Sequence, residues 1–287
     1  MPSESIPCIT GPGTIGDVRP WSGDPLTARA RSVWSGADFL PIARSYADGA
    51  EAFVGRLGLR AGERVLDAAC GTGNLAIPAA RAGARVTGID IAPNLIEQAK
   101  LEARAAACTV AFEVGDVEAL PYLDGQFDTV MTMFGAMFAY RPERTASELV
   151  RVTRPLGRVA MANWIPDGFV GKLLRAHTAV VPPPPGAPSP LDWGHEGLAR
   201  ARFGDRVTSL QCTRRTLELR FPFPPGVVTE VFTTCYGPTV ATLRATDAEG
   251  AARLRAELIR LFQQHNVATD GTTTVVAAYL DVQARVA

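Results

Sequence analysis

From Phe39 the apolar positions recur at helical spacing: Phe39, Ile42, Ala43, Tyr46, Ala50, Phe53, Val54 and Leu57. This spacing predicts one amphipathic helix that ends near Gly58. Beyond it the period changes. Short apolar runs at 64–69, 84–90, 110–114, 127–133 and 158–164 read as strands. Helical stretches at 74–82, 93–107 and 142–153 separate them, and Pro93 suits a first helical turn. Strand alternating with helix implies parallel strands joined by crossovers, in an open sheet covered on both faces. Right-handed crossovers then restrict the topology to the doubly wound, Rossmann-like class.

After Trp164 the rhythm breaks. Residues 168–178 read as helix, and 181–190 hold six prolines, a stiff extended connector. Residues 194–203 read as a short helix and 207–221 as a strand. Two helices follow, at 226–243 and 247–264; the second opens on Thr246-Asp247-Ala248-Glu249, a capping-box spacing. A β-branched run at 272–286 is the last strand. The predicted organisation has four parts. Residues 1–35, rich in Gly, Pro and Ser, read as a mobile arm or an irregular cover over a site. Residues 36–164 form the α/β core, 165–206 a cap insertion, and 207–287 the last two strands with inserted cap helices.

Composition narrows the class. At 287 residues and 47% hydrophobic, the chain supports one sizeable core with embellishments. Its 29 basic residues balance 29 acidic ones, so no global field draws it to nucleic acid or an anionic membrane. Cys8, Cys70, Cys108, Cys212 and Cys235 are odd in number and lack Cys-x-x-Cys or metal-finger spacing, as expected of free thiols in a reducing cytoplasm. No leader pattern opens the chain, and the longest apolar run, 129–140, is too short for a bilayer. No metal site is expected from the His, Cys, Asp and Glu spacings.

The informative stretch is Val65-Leu66-Asp67-Ala68-Ala69-Cys70-Gly71-Thr72-Gly73-Asn74, where the first strand turns into a helix. Gly71 and Gly73 allow a sharp turn and close approach to a ligand. A helix beginning near Asn74 would offer free N–H groups to a carboxylate. Asp90, in Gly88-Ile89-Asp90-Ile91, ends the second strand and would accept from a ribose diol. Asp116, in Gly115-Asp116-Val117, follows the third and would accept from an adenine amine, with Ile91 and Val117 flanking the base. A dinucleotide loop needs a third glycine, but the position three after Gly73 is Ala76. Asp67 would repel a pyrophosphate and attract an α-ammonium group. The set therefore favours S-adenosylmethionine over NAD.

From about Trp34 to Trp164 the chain resembles class I S-adenosylmethionine-dependent methyltransferases, in the group that includes the ubiquinone-biosynthesis C-methyltransferases. The tail, with Trp164-Ile165-Pro166-Asp167-Gly168-Phe169 and Tyr236-Gly237-Pro238, is similar to a bacterial small-molecule branch of that family. The resemblance implies a seven-stranded, mostly parallel sheet with an antiparallel seventh strand. It implies S-adenosylmethionine as donor and S-adenosylhomocysteine as product. Asp67, Gly71 and Gly73 would line the methionine part, Asp90 the ribose, Asp116 and Val117 the adenine, and Met133 the methyl group. Ala69 stands where the family has the first glycine of its loop, and its small side chain is expected to leave the site intact.

In-line transfer from a sulfonium needs positioning, and a base only if the acceptor starts protonated. Among candidate bases His195, in Asp192-Trp193-Gly194-His195-Glu196, and Tyr236 are singled out over His177 and His265. The expected acceptor pocket is apolar: Phe134, Met137, Phe138 and Tyr140 after the fourth strand, Trp164 and Phe169 after the fifth, Trp193 and Phe232 from the cap. Trp34 and Tyr46 are expected to close over the donor. Arg214, Arg215 and Arg220 read as a solvated strand face. The partner expected is a small, lipophilic or aromatic metabolite, with the chain a monomer or homodimer. A non-catalytic donor-binding module and a cofactor-assisted enzyme such as a cyclase are the alternatives.

Overall fold

The computed structural model describes residues 24–287. Seven strands form one sheet: β1 (Arg64–Ala68), β2 (Arg85–Asp90), β3 (Ala111–Val114), β4 (Phe127–Met133), β5 (Thr153–Trp164), β6 (Val207–Phe221) and β7 (Thr273–Val286). Their order is β3-β2-β1-β4-β5-β7-β6. The first five run parallel, with Val65 level with Val86 on one side and Thr129 on the other. β7 runs antiparallel to both β5 and β6. The chain passes from β1 outward through β2 to β3, then returns to place β4 on the other side of β1. A crevice therefore opens beyond the carboxyl ends of β1 and β4, where ligands of doubly wound sheets bind.

The alternating segments behave as their periods predict, through α4 (Ala76–Arg81), α5 (Pro93–Ala105) and α6 (Pro142–Val152). β5 begins earlier than expected, at Thr153. Its pairing with β4 slips between Phe127 and Thr129, so the irregular step around Leu156 interrupts the alternation without ending the strand.

Three expectations need correction. Residues 1–23 of the expected arm lie outside the described residues, but 24–35 are not irregular. α1 (Pro25–Ser35) is a helix, with Pro25 in its first turn and Asp24 accepting the Leu26 N–H at 3.1 Å. Its exposed face is so polar that no apolar period announces it. The single helix predicted from Phe39 breaks at Tyr46 into α2 (Leu40–Ser45) and α3 (Ala47–Leu57). The Asn74 side-chain amide takes the Ala43 carbonyl at 2.7 Å, supplying that group with a partner from another element. The helix predicted over 226–243 is two, α9 (Pro225–Cys235) and α10 (Gly237–Ala245). Pro238 cannot continue a helix, and Gly237 lies so close to α1 that a Cβ there would sit 2.5 Å from the Val33 carbonyl.

The insertions do not form one cap. α7 (Phe169–Val180), α9, α10 and α11 (Ala248–His265) pack on one another, with α1 against α10 and α2 against α9. The 3₁₀ turn at Pro190–Gly194 and α8 (Glu196–Phe203) instead pack against β5 and α6. Arg214, Arg215 and Arg220, on edge strand β6, pair with Asp167, Asp281 and Asp48 at 2.9, 2.9 and 2.6 Å. Among the described residues no helix is long and apolar enough to cross a membrane.

Candidate functional site

The loop after β1 alternates in hand. Ala69, Gly71 and Gly73 have φ of +58°, +53° and +89°. Gly71 faces open space and donates its N–H to Asp90 Oδ2 at 2.9 Å. Gly73 serves the turn rather than the cleft: a Cβ there would stand 3.2 Å from the Phe112 ring. Ala69 holds a left-handed conformation that suits glycine, at about 1–2 kcal/mol for an L-residue. Its smallness matters from the other side as well, because a Cβ on Gly135 would lie 2.7 Å from that of Ala69.

The helix end lies close to where it is expected, with the Ile77 N–H already bonded to the Gly73 carbonyl at 3.0 Å, but its Ala76 N–H is taken. α4 starts at Ala76, and Asp67 Oδ2 accepts the Ala76 N–H at 2.9 Å. Asn74 spends its amide on Ala43. The unpartnered polar atom of this loop is the buried Thr72 hydroxyl.

Three strand ends carry carboxylates into one cleft. Asp67 comes from β1 and Asp90 from β2; Asp116 and Glu118 come from the loop after β3. The cleft encloses about 920 Å³ of empty space, including its open mouth. Among the described residues none of its lining is Lys, Arg or His. Burial drives the Asp67 carboxyl well above the usual carboxylate range; the Ala76 N–H opposes this, and the charge of Asp90 adds to it. Burial raises Asp90 too, against N–H bonds from Ala92 and Gly71. The Tyr46 phenol, beside Asp67, is pushed upward mainly by its own burial. Glu118 is the carboxylate with a cation, accepting from Arg141 Nη1 and from the Arg141 backbone N–H, each at 2.8 Å.

The opposite wall is aromatic. Trp34, Phe39, Tyr46, Phe134, Phe138 and Tyr140 line it. Phe134 sits at φ +59°, a strained position for a bulky residue, immediately after β4. Its ring stacks on Trp164 with centroids 3.5 Å apart and meets Tyr46 and Tyr279 edge-on. Trp34 packs edge-on against Phe39, Phe138 and Tyr236.

The sequence-predicted residues therefore divide. Trp34, Asp67, Ala69, Gly71, Asn74, Asp90, Ile91, Asp116, Val117, Met133, Phe134 and Phe138 line this one cleft. Gly73, Met137, Trp164, Phe169, Trp193, Phe232, His195 and Tyr236 do not. Trp164 backs Phe134. Phe169 and Phe232 pack on Phe262 in the helical layer. Trp193 is buried under the Arg202 guanidinium, 4.5 Å from its ring, and Met137 is core. His195 is exposed at the start of α8. Tyr236 is buried behind Trp34 and Phe39, its phenol pushed upward by burial. His177 is buried against Thr239 and lowered to about 4, and His265 meets Lys172. Sequence reasoning missed Glu118, Gly135 and Thr27. The first two follow a chosen residue by two positions, a signal that was available. Thr27 gave none, because only folding brings α1 to the strand ends.

Residues 65–157 match a family model described as a methyltransferase domain. The Mycobacterium tuberculosis protein Rv1403c is 38% identical over 239 residues, 82% of this chain and 87% of that protein. A demethylmenaquinone methyltransferase of Renibacterium salmoninarum is 34% identical over 111 residues, 39% of this chain and 45% of the relative. Among solved structures, the Bacillus subtilis YcgJ protein superposes with TM-score 0.53 at 18% identity, over 82% of this chain and 97% of that one, a likeness of fold. A seven-stranded doubly wound sheet, three strand-end carboxylates around one crevice and these relatives agree: the chain belongs to the class I S-adenosylmethionine-dependent methyltransferases.

Proposed function

We propose that this chain binds S-adenosylmethionine along the β1–β4 crevice and transfers its methyl group to a small, apolar acceptor held at the aromatic wall. One observation carries the reading: buried carboxylates face a cleft whose described lining holds no cationic side chain. Such a cleft favours a ligand that brings positive charge. The donor has an ammonium and a sulfonium against one carboxylate, whereas a dinucleotide brings a pyrophosphate.

The residues fit that group. Asp67, held by Ala76 through one oxygen, keeps the other for the ammonium. Asp90 is fixed by two backbone N–H bonds at 2.9 Å, so its remaining lone pairs are aimed for a ribose diol. Asp116 would meet the adenine amine between Ile91, Leu95 and Val117, and the unpartnered Thr72 hydroxyl would serve the carboxylate. The donor supplies an activated methyl carbon with a thioether as leaving group. The chain's residues fix the approach to it. Met133 and Gly135 border the reacting end, and the rings of Phe134, Tyr46 and Phe138 exclude water and hold an apolar acceptor in line.

No histidine lies in the described lining, and Tyr46 keeps its proton. The acceptor should therefore arrive with its nucleophilic lone pair available. S-adenosylhomocysteine is expected to raise the melting temperature and NAD to leave it unchanged. Labelled methyl transfer to a panel of apolar and polar acceptors then tests the transfer and its preference. Equal stabilisation by both ligands defeats the donor assignment, and transfer confined to polar acceptors defeats the acceptor class.

A further inference from the structure

α1 is held at its two ends by different forces. Its C-terminal end is fixed by packing: Val33 meets Gly237 of α10, and Trp34 sits among Phe39, Phe138 and Tyr236. Its N-terminal end is held by polar contacts. Asp24 pairs with Arg141, whose guanidinium also donates to Glu118 at 2.8 Å. One turn on, the Thr27 hydroxyl donates to Asp116 Oδ2 at 2.9 Å, while Asp116 Oδ1 accepts the Glu118 N–H. Thr27, Ala30 and Trp34, three and four residues apart, form the helix stripe that lines the cleft.

We propose that α1 is a clamp over the donor cleft, hinged on the Val33–Gly237 contact and latched by Arg141, which acts as a positioning residue for the methyl donor. Arg141 joins the helix, through Asp24, to the loop that carries Asp116 and Glu118 at the adenine end. Thr27 bonds the same carboxylate that the adenine amine would use, so closure of the helix and seating of the base are read at one group. The ion pair is partly exposed, with Arg141 34% and Asp24 20% accessible, so it opens and closes more readily than a packed contact. Once unlatched, the N-terminal turns of this 11-residue helix, away from the packed Val33–Trp34 end, fray. The proposal rests on S-adenosylmethionine and its product as ligands of the cleft.

Asp24→Asn tests the latch without removing the helix cap, since asparagine caps as well as aspartate. Trypsin cleavage after Arg29 and Arg31 reports opening in the ligand-free protein. Release of S-adenosylhomocysteine, followed by stopped-flow chase, reports clamping on the ligand. The variant should be cut and should release product about two- to fivefold faster than wild type, with an unchanged melting temperature. Arg141→Lys keeps the charge on Asp24 but not the paired bonds to Glu118, and should fall between the two. Raised salt should bring wild type toward the variant. Unchanged cleavage and release in Asp24→Asn overturns the latch. So does a drop in melting temperature that accounts for both effects. Faster cleavage of Asp24→Asn, with no product bound by either protein, upholds the latch and removes the donor reading instead.

Discussion

Replacing Asp67 with asparagine should stabilise the ligand-free protein and weaken donor binding at the same time. The side chain is 1% exposed and has no ion-pair partner among the described residues. Asparagine keeps an oxygen for the Ala76 N–H at the head of α4, so the local turn survives. What is lost is a desolvated carboxyl beside a second buried acid, Asp90. The sign of its linkage is the reverse of the usual aspartate. Its folded pKa lies above the unfolded value of 3.8, so the folded state holds more protons between the two. Wild-type stability therefore falls as pH rises from 3.8 through the folded pKa, and the asparagine variant should lack that component. Removing the ionisable carboxyl relieves its desolvation penalty, worth about 1–3 kcal/mol, or roughly 2–6 °C in a chain of this size. Against this, a charge-assisted bond to the ammonium contributes about 1.5–3 kcal/mol, so the Kd for S-adenosylhomocysteine should rise by about 10- to 150-fold. Thermal unfolding without ligand at pH 7.5, with isothermal titration of the product, measures both. A variant that melts lower than wild type and binds the product equally well would refute the reasoning on both counts.

Three further outcomes follow from the geometry. Ala69→Gly relieves a left-handed alanine and should add about 0.5–1 kcal/mol of stability after glycine's extra chain entropy; unchanged or lower stability in urea unfolding would show that φ of +58° is not strained there. His195→Ala should leave methyl transfer unaltered at every pH assayed, because the ring is exposed outside the cleft; a lost limb in the pH–rate profile would return His195 to the chemistry. His177 is lowered to about 4 by burial, so the unfolded chain takes up its proton first as pH falls. Its share of stability, about 3 kcal/mol, should be present above pH 6.5 and disappear between pH 6.5 and 4, with His177→Gln flattening that stretch of the stability curve.

Much of the acid-lined side of the cleft was legible because it is written in local chain order. Asp67, Gly71, Asp90 and Asp116 each sit at the carboxyl end of a strand, and alternating strand and helix fixes those ends on one edge of the sheet. The aromatic wall was not legible in this way. Trp193 and His195 looked like a pocket rim, but they fold with α8 against β5 and α6. Phe169 and Phe232 looked like pocket wall, but they make the helical layer's own core around Phe262. An aromatic residue has the same pattern in sequence whether it faces a ligand or another ring.

The sequence alone determined the class of sheet, the crossover pattern and the set of strand-end acids, because periodicity and turn chemistry act within a few residues. Only the tertiary structure decided that α1 lines the cleft, that the entry helix breaks at Tyr46 beside the Asn74–Ala43 bond, and that Phe134 rather than Trp164 lines the cleft. Those outcomes depend on which distant carbonyl, carboxylate or ring fills a given space. The contacts between Ala43 and Asn74, Thr27 and Asp116, and Gly237 and Val33 join segments that no local pattern brings together.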